Sequence, residues 1–136
     1  MLEEHLKQLA EDLELPPLLP KDKSSCYYLP LANDFEITVR SLKNGCAFFS
    51  KVAAVPTQKR EEAFLYFMAA NLLGQGTGNQ VLGIDPEEKF LTLSCIIPYD
   101  MNYKEFKEKI EDFANYLNYW RVEAEKREKD AQASIL

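Results

Sequence analysis

The spacing of hydrophobic and polar positions changes along the chain, and these changes divide it into segments. The first segment carries about one leucine per helical turn, at Leu2, Leu6, Leu9 and Leu13. This spacing places the leucines on one face and predicts an amphipathic helix. The run "LPPLLPK" follows, and its prolines cannot continue a helix.

Three strand-like runs come next: "SCYYLPLA", "DFEITVRSL" and "CAFFSKVAAV". Pro30 cannot donate a ladder hydrogen bond, so the first run is predicted to lie at a sheet edge or to end there. In the second run Phe35, Ile37 and Val39 share one face, which is typical of a half-buried antiparallel strand. Asn44-Gly45 predicts the tip of a hairpin before the third strand.

A second helix is predicted from Gln58 to Leu73, with Thr57 as its cap after Pro56. From Ala63 onward nearly every residue of this helix is apolar. A helix that is apolar all round must be covered on more than one side. We expect the sheet to cover one side and a second subunit to cover another, which predicts dimerisation through this helix.

Two further strand-like runs, "QVLGID" and "KFLTLSCII", are joined by a turn at Asp85-Pro86. A long amphipathic helix then follows with Asn102 as its N-cap. Its apolar stripe is Tyr103, Phe106, Ile110, Phe113, Leu117 and Trp120. We therefore predict an α+β fold in the order helix, three strands, helix, two strands, helix, with an antiparallel sheet. One domain is predicted over residues 1–121, and residues 122–136 form a charged helical extension or tail.

Composition limits the classes of partner. The chain has 136 residues, 46% of them hydrophobic, and a formal net charge of −6. This length can bury one core. The acidic balance argues against nucleic acid and against an anionic membrane, because both bind clustered lysine and arginine. No secretory signal and no run long enough to span a bilayer is visible, which favours the cytosol.

The glycines at 74, 76 and 78 raise the question of a phosphate-binding loop. Such a loop lies between a strand and a following helix. Here the glycines follow a helix and precede a strand, and the loop contains no lysine. They are better explained as a helix stop and a tight turn, so we predict no nucleotide cofactor.

Candidate catalytic and metal-binding groups are scarce. His5 is the only histidine, and it lies alone on the first helix. We interpret it as a half-exposed surface residue rather than a base or a ligand. The three cysteines are widely spaced and form no CxxC pair, so they are expected to carry thiols in a reducing cytosol. We predict neither a metal site nor an enzyme.

A family resemblance emerges from the second half of the chain. The run "AFLYFMAANLLGQGTGNQVLGIDPEEKFLTLSCIIPYDMNYKEFKEKIEDFANYLNYWR" resembles the class I type III secretion chaperones, or Tir-chaperone-like family. In that family an apolar helix, a glycine-containing turn, two strands and an amphipathic helix follow in the same order. In the first half, "LKQLAEDLELP" resembles the opening helix and "NDFEITV" the second strand.

The resemblance implies a small cytosolic dimer of a Gram-negative bacterium. Such a protein binds an extended N-terminal segment of a secreted effector and keeps it competent for export, without ATP. The alternative is an adaptor or regulator of the same fold that binds a folded secretion-apparatus or transcription protein. A heterodimer with a second chaperone also stays open, and the tail after Arg121 departs from the usual family layout.

The resemblance also implies two sets of contact residues. The expected effector-binding residues are Leu2, Leu6, Leu9, Leu13, Tyr28, Phe35, Ile37, Val39 and Phe48. The expected dimer-interface residues are Phe64, Leu65, Phe67, Met68, Leu72, Leu73, Val81, Leu82, Phe90, Leu91 and Leu93.

Overall fold

A computed structural model describes residues 2–18, 20–30, 36–71 and 80–133 of the chain. The helices are α1 (Leu2–Asp12), α2 (Arg60–Ala70) and α3 (Tyr103–Ala133). The strands are β1 (Cys26–Pro30), β2 (Glu36–Leu42), β3 (Gly45–Ala54), β4 (Val81–Ile84) and β5 (Phe90–Ile97). The predicted order of elements is confirmed. Phe35, Leu72, Leu73 and the three glycines at 74, 76 and 78 lie outside the described residues.

The strands form one antiparallel sheet in the order β1-β2-β3-β5-β4, so β1 and β4 are its edge strands. The chain divides into two compact units. Unit 1 consists of residues 1–50 and 96–112, and unit 2 of residues 51–95 and 113–136.

In unit 1, α1 is amphipathic as predicted, because Leu6 and Leu9 are buried while Lys7 and Gln8 between them are exposed. The alternation in β2 is also confirmed for the described residues, since Ile37 and Val39 are fully buried and Glu36 is exposed.

The hairpin between β2 and β3 differs from the predicted one. Leu42 pairs with Gly45, so the turn residues are Lys43 and Asn44 rather than Asn44 and Gly45. Gly45 has φ 111°, a conformation that side chains disfavour. A Cβ on Gly45 would stand 1.9 Å from the carbonyl oxygen of Ile97, so the glycine also permits a close backbone approach.

In unit 2, α2 begins two residues later than predicted. Its N-cap is Lys59, which has a left-handed backbone and no capping side chain. The predicted cap at Thr57 is therefore wrong. The acidic residues Glu61 and Glu62 lie in the first turn, where the positive end of the helix dipole stabilises their negative charges.

Helix α3 confirms the strongest periodicity in the sequence. The Asn102 side chain accepts a hydrogen bond from the Glu105 N–H at 2.9 Å, as an N-cap should. The stripe residues are buried except for Tyr103, which is half-buried. The helix continues to Ala133 without a break at residue 121, where the prediction placed the end of the domain.

Candidate binding surfaces

A groove in unit 1 is bordered by α1 and the segment that follows it. Its volume is about 280 Å³. Its apolar wall is formed by Leu6, Ala10, Leu15, Pro17, Leu18, Pro20 and Tyr27, and its charged residues are Glu3, Lys7 and Glu11. We call this the α1 groove.

The local sequence explains why the α1 groove exists. Helix α1 ends at Asp12, and Glu14 takes a left-handed backbone. The N–H of Leu15 then bonds the carbonyl of Ala10 and closes the helix end. The prolines that follow cannot continue the helix. Leu15 and Leu18 therefore lie beside α1 and line the groove.

The predicted effector-binding residues are only partly in reach of a partner. Among them Leu6, Leu9, Ile37, Val39 and Phe48 are buried. Leu13 and Tyr28 are exposed, and Leu2 is half-buried. Among the members of the set that the structure describes, only Leu6 lines the α1 groove. The alternation correctly indicated which residues share a face, but the face that holds Ile37 and Val39 is closed.

Most of the groove residues were not predicted as binding residues. The "LPPLLP" segment was interpreted only as a helix break. Its composition did carry a signal, because leucines in a proline-rich segment next to an amphipathic helix are expected to find apolar cover.

Tyr28 is held by Asp22 at the entrance to β1. Its hydroxyl donates a hydrogen bond to the Asp22 carboxylate, which also accepts the N–H groups of Ser24 and Cys26 at 2.8 and 3.1 Å. The bond to the carboxylate raises the pKa of Tyr28 to about 12. The Tyr28 hydroxyl and the Cys26 N–H together hold the pKa of Asp22 below its usual value.

A second apolar surface lies in unit 2. Leu65 is 73% exposed and Met68 is 39% exposed, three residues apart on one side of α2. Val81, at the start of β4, is 54% exposed. We call Leu65, Met68 and Val81 the α2–β4 apolar set.

The other predicted dimer residues within the described ranges divide into two groups. Phe67, Leu82, Leu91 and Leu93 are buried, and Phe64 and Phe90 are half-buried. Helix α2 therefore has apolar side chains both toward the interior and toward solvent, as its sequence indicated.

His5 is half-buried, in line with the predicted half-exposed position, and its ring also takes part in packing. Its ring stacks on Phe106 at 5.5 Å, and its Nε2 lies 2.7 Å from the carbonyl oxygen of Met101. A carbonyl only accepts, so Nε2 carries the proton and donates it.

Within the described residues, no group of three or more His, Cys, Asp or Glu side chains is arranged to hold a metal ion. In the same part of the chain no helix is both long and apolar enough to span a bilayer.

An antiparallel sheet flanked by helices, with exposed apolar side chains and a groove, defines a small α+β protein suited to binding other proteins. The comparisons with known proteins identify its family. Residues 4–121 match the Tir chaperone protein (CesT) family, and the chain belongs to it. None of the curated proteins compared with the chain matches it.

Solved structures with a similar fold have low sequence identity. A chain of the HopA1-SchA chaperone–effector complex has a TM-score of 0.67 and 17% identity, over 89% of this chain and 93% of that chain. A chain of the ExsC-ExsE complex has a TM-score of 0.71 and 15% identity, over 89% and 91%. A chain of the heterodimeric ExoU-SpcU complex, from the type III secretion system of Pseudomonas aeruginosa, has a TM-score of 0.59 and 18% identity, over 94% of each chain.

Proposed function

We propose that this protein is a type III secretion chaperone that binds an extended N-terminal segment of a secreted effector and keeps it competent for export. The family match across residues 4–121 is the observation that carries the proposal. Two of the similar structures, a chaperone–effector complex and a heterodimeric complex from a type III secretion system, support the same proposal.

The α1 groove is the part of unit 1 that suits such a client. Its apolar wall includes the half-buried Leu15 and Leu18, while Glu3, Lys7 and Glu11 provide polar groups around it. An extended segment can place an apolar side chain in such a groove while its neighbours stay in water. Ordering the segment costs conformational entropy, so the groove must act together with further contacts along the client.

The α2–β4 apolar set is proposed to bind a second copy of the chain. Leu65 and Met68 expose apolar surface on adjacent turns of a helix whose other side is already buried. Apolar groups exposed together on a helix face indicate a protein contact. A second, different chaperone in this position is the other outcome that a mass measurement would reveal.

The proposed activity is binding alone, without ATP hydrolysis or other catalysis, in the cytoplasm of a Gram-negative bacterium. The engagement of His5 in packing and in a backbone hydrogen bond is in keeping with a role other than that of a catalytic base.

Co-expression with tagged N-terminal segments of the secreted proteins encoded beside this chain tests the proposal. We expect one segment to co-purify as a defined complex, to resist proteolysis only in that complex, and to bind equally with ATP present or removed. The control is the same segment expressed without the chain. The proposal is overturned if no segment binds, or if only folded full-length proteins do.

A further inference from the structure

The edge strand β4 presents some of its backbone groups away from the sheet. Asp85 donates its N–H to the carbonyl of Phe90, which makes this pair a hydrogen-bonded one. In an antiparallel ladder such pairs alternate along the strand. Gly83 and Val81 therefore bond β5 across from Thr92 and Ser94. The N–H and C=O groups of Leu82 and Ile84 point outward.

A side chain occupies the outward groups of Leu82. Asn71, which follows the last residue of α2, donates its Nδ2 to the Leu82 carbonyl at 2.7 Å and accepts the Leu82 N–H on Oδ1 at 2.8 Å. One primary amide thus satisfies both backbone groups of one residue, as the backbone of a neighbouring strand would. Asn71 is itself fixed, because its own N–H bonds the last turn of α2.

We infer that Asn71 closes the β4 edge to strand addition. An exposed sheet edge is a template on which another extended chain can pair. A strand arriving at β4 would have to displace the amide from Leu82 and would regain only equivalent bonds. The other outward residue, Ile84, is the last residue of β4. An added strand could therefore form few new backbone hydrogen bonds to offset the loss of the Asn71 bonds.

The inference concerns the kind of contact that this edge accepts, and it rests on the proposed function only for the identity of the partner. A second copy of the chain that docks at the α2–β4 apolar set does so through side chains, not by continuing the sheet. An extended client segment is likewise excluded from pairing with the backbone of β4.

Hydrogen exchange of the wild-type chain gives the first test. Both Leu82 and Ile84 direct their N–H groups outward, but only Leu82 has a side-chain partner within the described residues. We expect the Leu82 amide to exchange about tenfold more slowly than the Ile84 amide. Equal rates would overturn the inference, and this measurement needs no variant that might fail to fold.

The variant Asn71→Ala gives the second test, by light scattering over a range of concentrations. We expect the Leu82 amide to exchange about tenfold faster than in the wild type. We also expect the average mass to rise with concentration above the wild-type value. The control is the double variant Asn71→Ala with Ile84→Pro. Proline at this outward position removes no bond to β5 but blocks pairing, so the mass should return to the wild-type value.

An unchanged mass for Asn71→Ala would overturn the inference, because the edge would then not be what limits association. The effector pull-down distinguishes this failure from a failure of the proposed function. If the client still binds the Asn71→Ala variant and the mass of that variant is unchanged, the inference about the β4 edge is wrong, while the chaperone proposal is retained.

Discussion

The hydroxyl of Tyr103 donates a hydrogen bond to the carboxylate of Asp12, which joins the first residue of α3 to the last residue of α1. Burial raises the pKa of Tyr103 to about 12, with the Asp12 bond as the next cause. The Nζ atom of Lys107 lies 4.0 Å from the same carboxylate. Asp12 therefore contacts a hydrogen-bond donor and a positive charge on adjacent turns of α3.

Replacing Tyr103 with Phe should lower the free energy of unfolding by about 0.5–1.5 kcal/mol at pH 7, the usual net value of one hydrogen bond. A raised pKa means that the wild-type contribution is complete below the unfolded value near pH 10. It is lost as pH rises toward about 12. Urea unfolding of both proteins at pH 7 and near pH 11.5 should therefore show a difference that shrinks at the higher pH. A difference that is constant with pH would show that the hydroxyl is not responsible.

Gly45→Ala should be strongly destabilising. Its Cβ would stand 1.9 Å from the carbonyl oxygen of Ile97 and 2.7 Å from the N–H nitrogen of Tyr99, both of which are backbone atoms. The positive φ adds its own cost. We expect a loss of more than about 3 kcal/mol, seen in urea unfolding or as insoluble protein.

Gly83→Ala is the matched control, because the one described atom that its Cβ would approach closely is the side-chain hydroxyl oxygen of Thr92, at 3.3 Å. It should cost less than about 1 kcal/mol. Similar losses for the two variants would contradict the role given to the backbone approach at Gly45.

Leu18→Asp should weaken client binding, because it places a charge in the wall of the α1 groove. Loss of one buried leucine contact, about 1.5 kcal/mol or more, corresponds to roughly tenfold weaker binding in calorimetry. Val122→Asp, at an exposed position in unit 2, should bind as the wild type does. Leu13→Asp distinguishes the groove from the predicted leucine face of Leu2, Leu6, Leu9 and Leu13, because Leu13 belongs to that face but does not line the groove. If Leu13→Asp weakens binding and Leu18→Asp does not, the client binds the leucine face rather than the groove.

Leu65→Glu should halve the mass measured by light scattering at micromolar concentration, because it puts a charge at the centre of the proposed dimer contact. Ile96→Glu is the control, since Leu65 and Ile96 are 73% and 70% exposed and lie in different units. We expect Ile96→Glu to keep the wild-type mass. Dimers that survive Leu65→Glu would place the contact elsewhere.

Deleting residues 122–136 should destabilise unit 2 while leaving the client bound. The deletion removes the buried Ala124 and the Glu123 carboxylate, which accepts a hydrogen bond from the Tyr66 hydroxyl at 3.0 Å. These contacts predict a loss of about 1–3 kcal/mol in urea unfolding. Loss of binding with the fold and the mass intact would favour an adaptor that recognises its partner through the tail.

Local patterns predicted most of the fold. The stripe of α3, its Asn102 cap and the alternation of β2 each depend on residues close together in sequence, so periodicity revealed them. The prediction of Thr57 as the N-cap of α2 was wrong, and the reason is also local. The backbone turns left-handed at Lys59, two residues later, and the sequence carries no mark of that turn.

The candidate site was less accessible to prediction, because it depends on contacts between distant residues. Alternation shows that Ile37 and Val39 share a face, but not that this face is covered. The half-exposed position of His5 agrees with the sequence interpretation, but the contact of its ring with Phe106, far away in sequence, was not predictable from local pattern. The hairpin signal at Asn44-Gly45 was correct in kind, while the need for glycine at position 45 comes from Ile97 and Tyr99.

The division of the chain into interleaved segments has a consequence for synthesis. Unit 1 needs residues 96–112 in addition to residues 1–50, and unit 2 needs residues beyond 112. Neither unit can therefore be completed while the ribosome is still translating residues 51–95. Domains that are continuous in sequence fold one after another as they emerge. In this chain the first fifty residues cannot complete their unit until residues 96–112 have been made, so termination before residue 112 leaves both units incomplete.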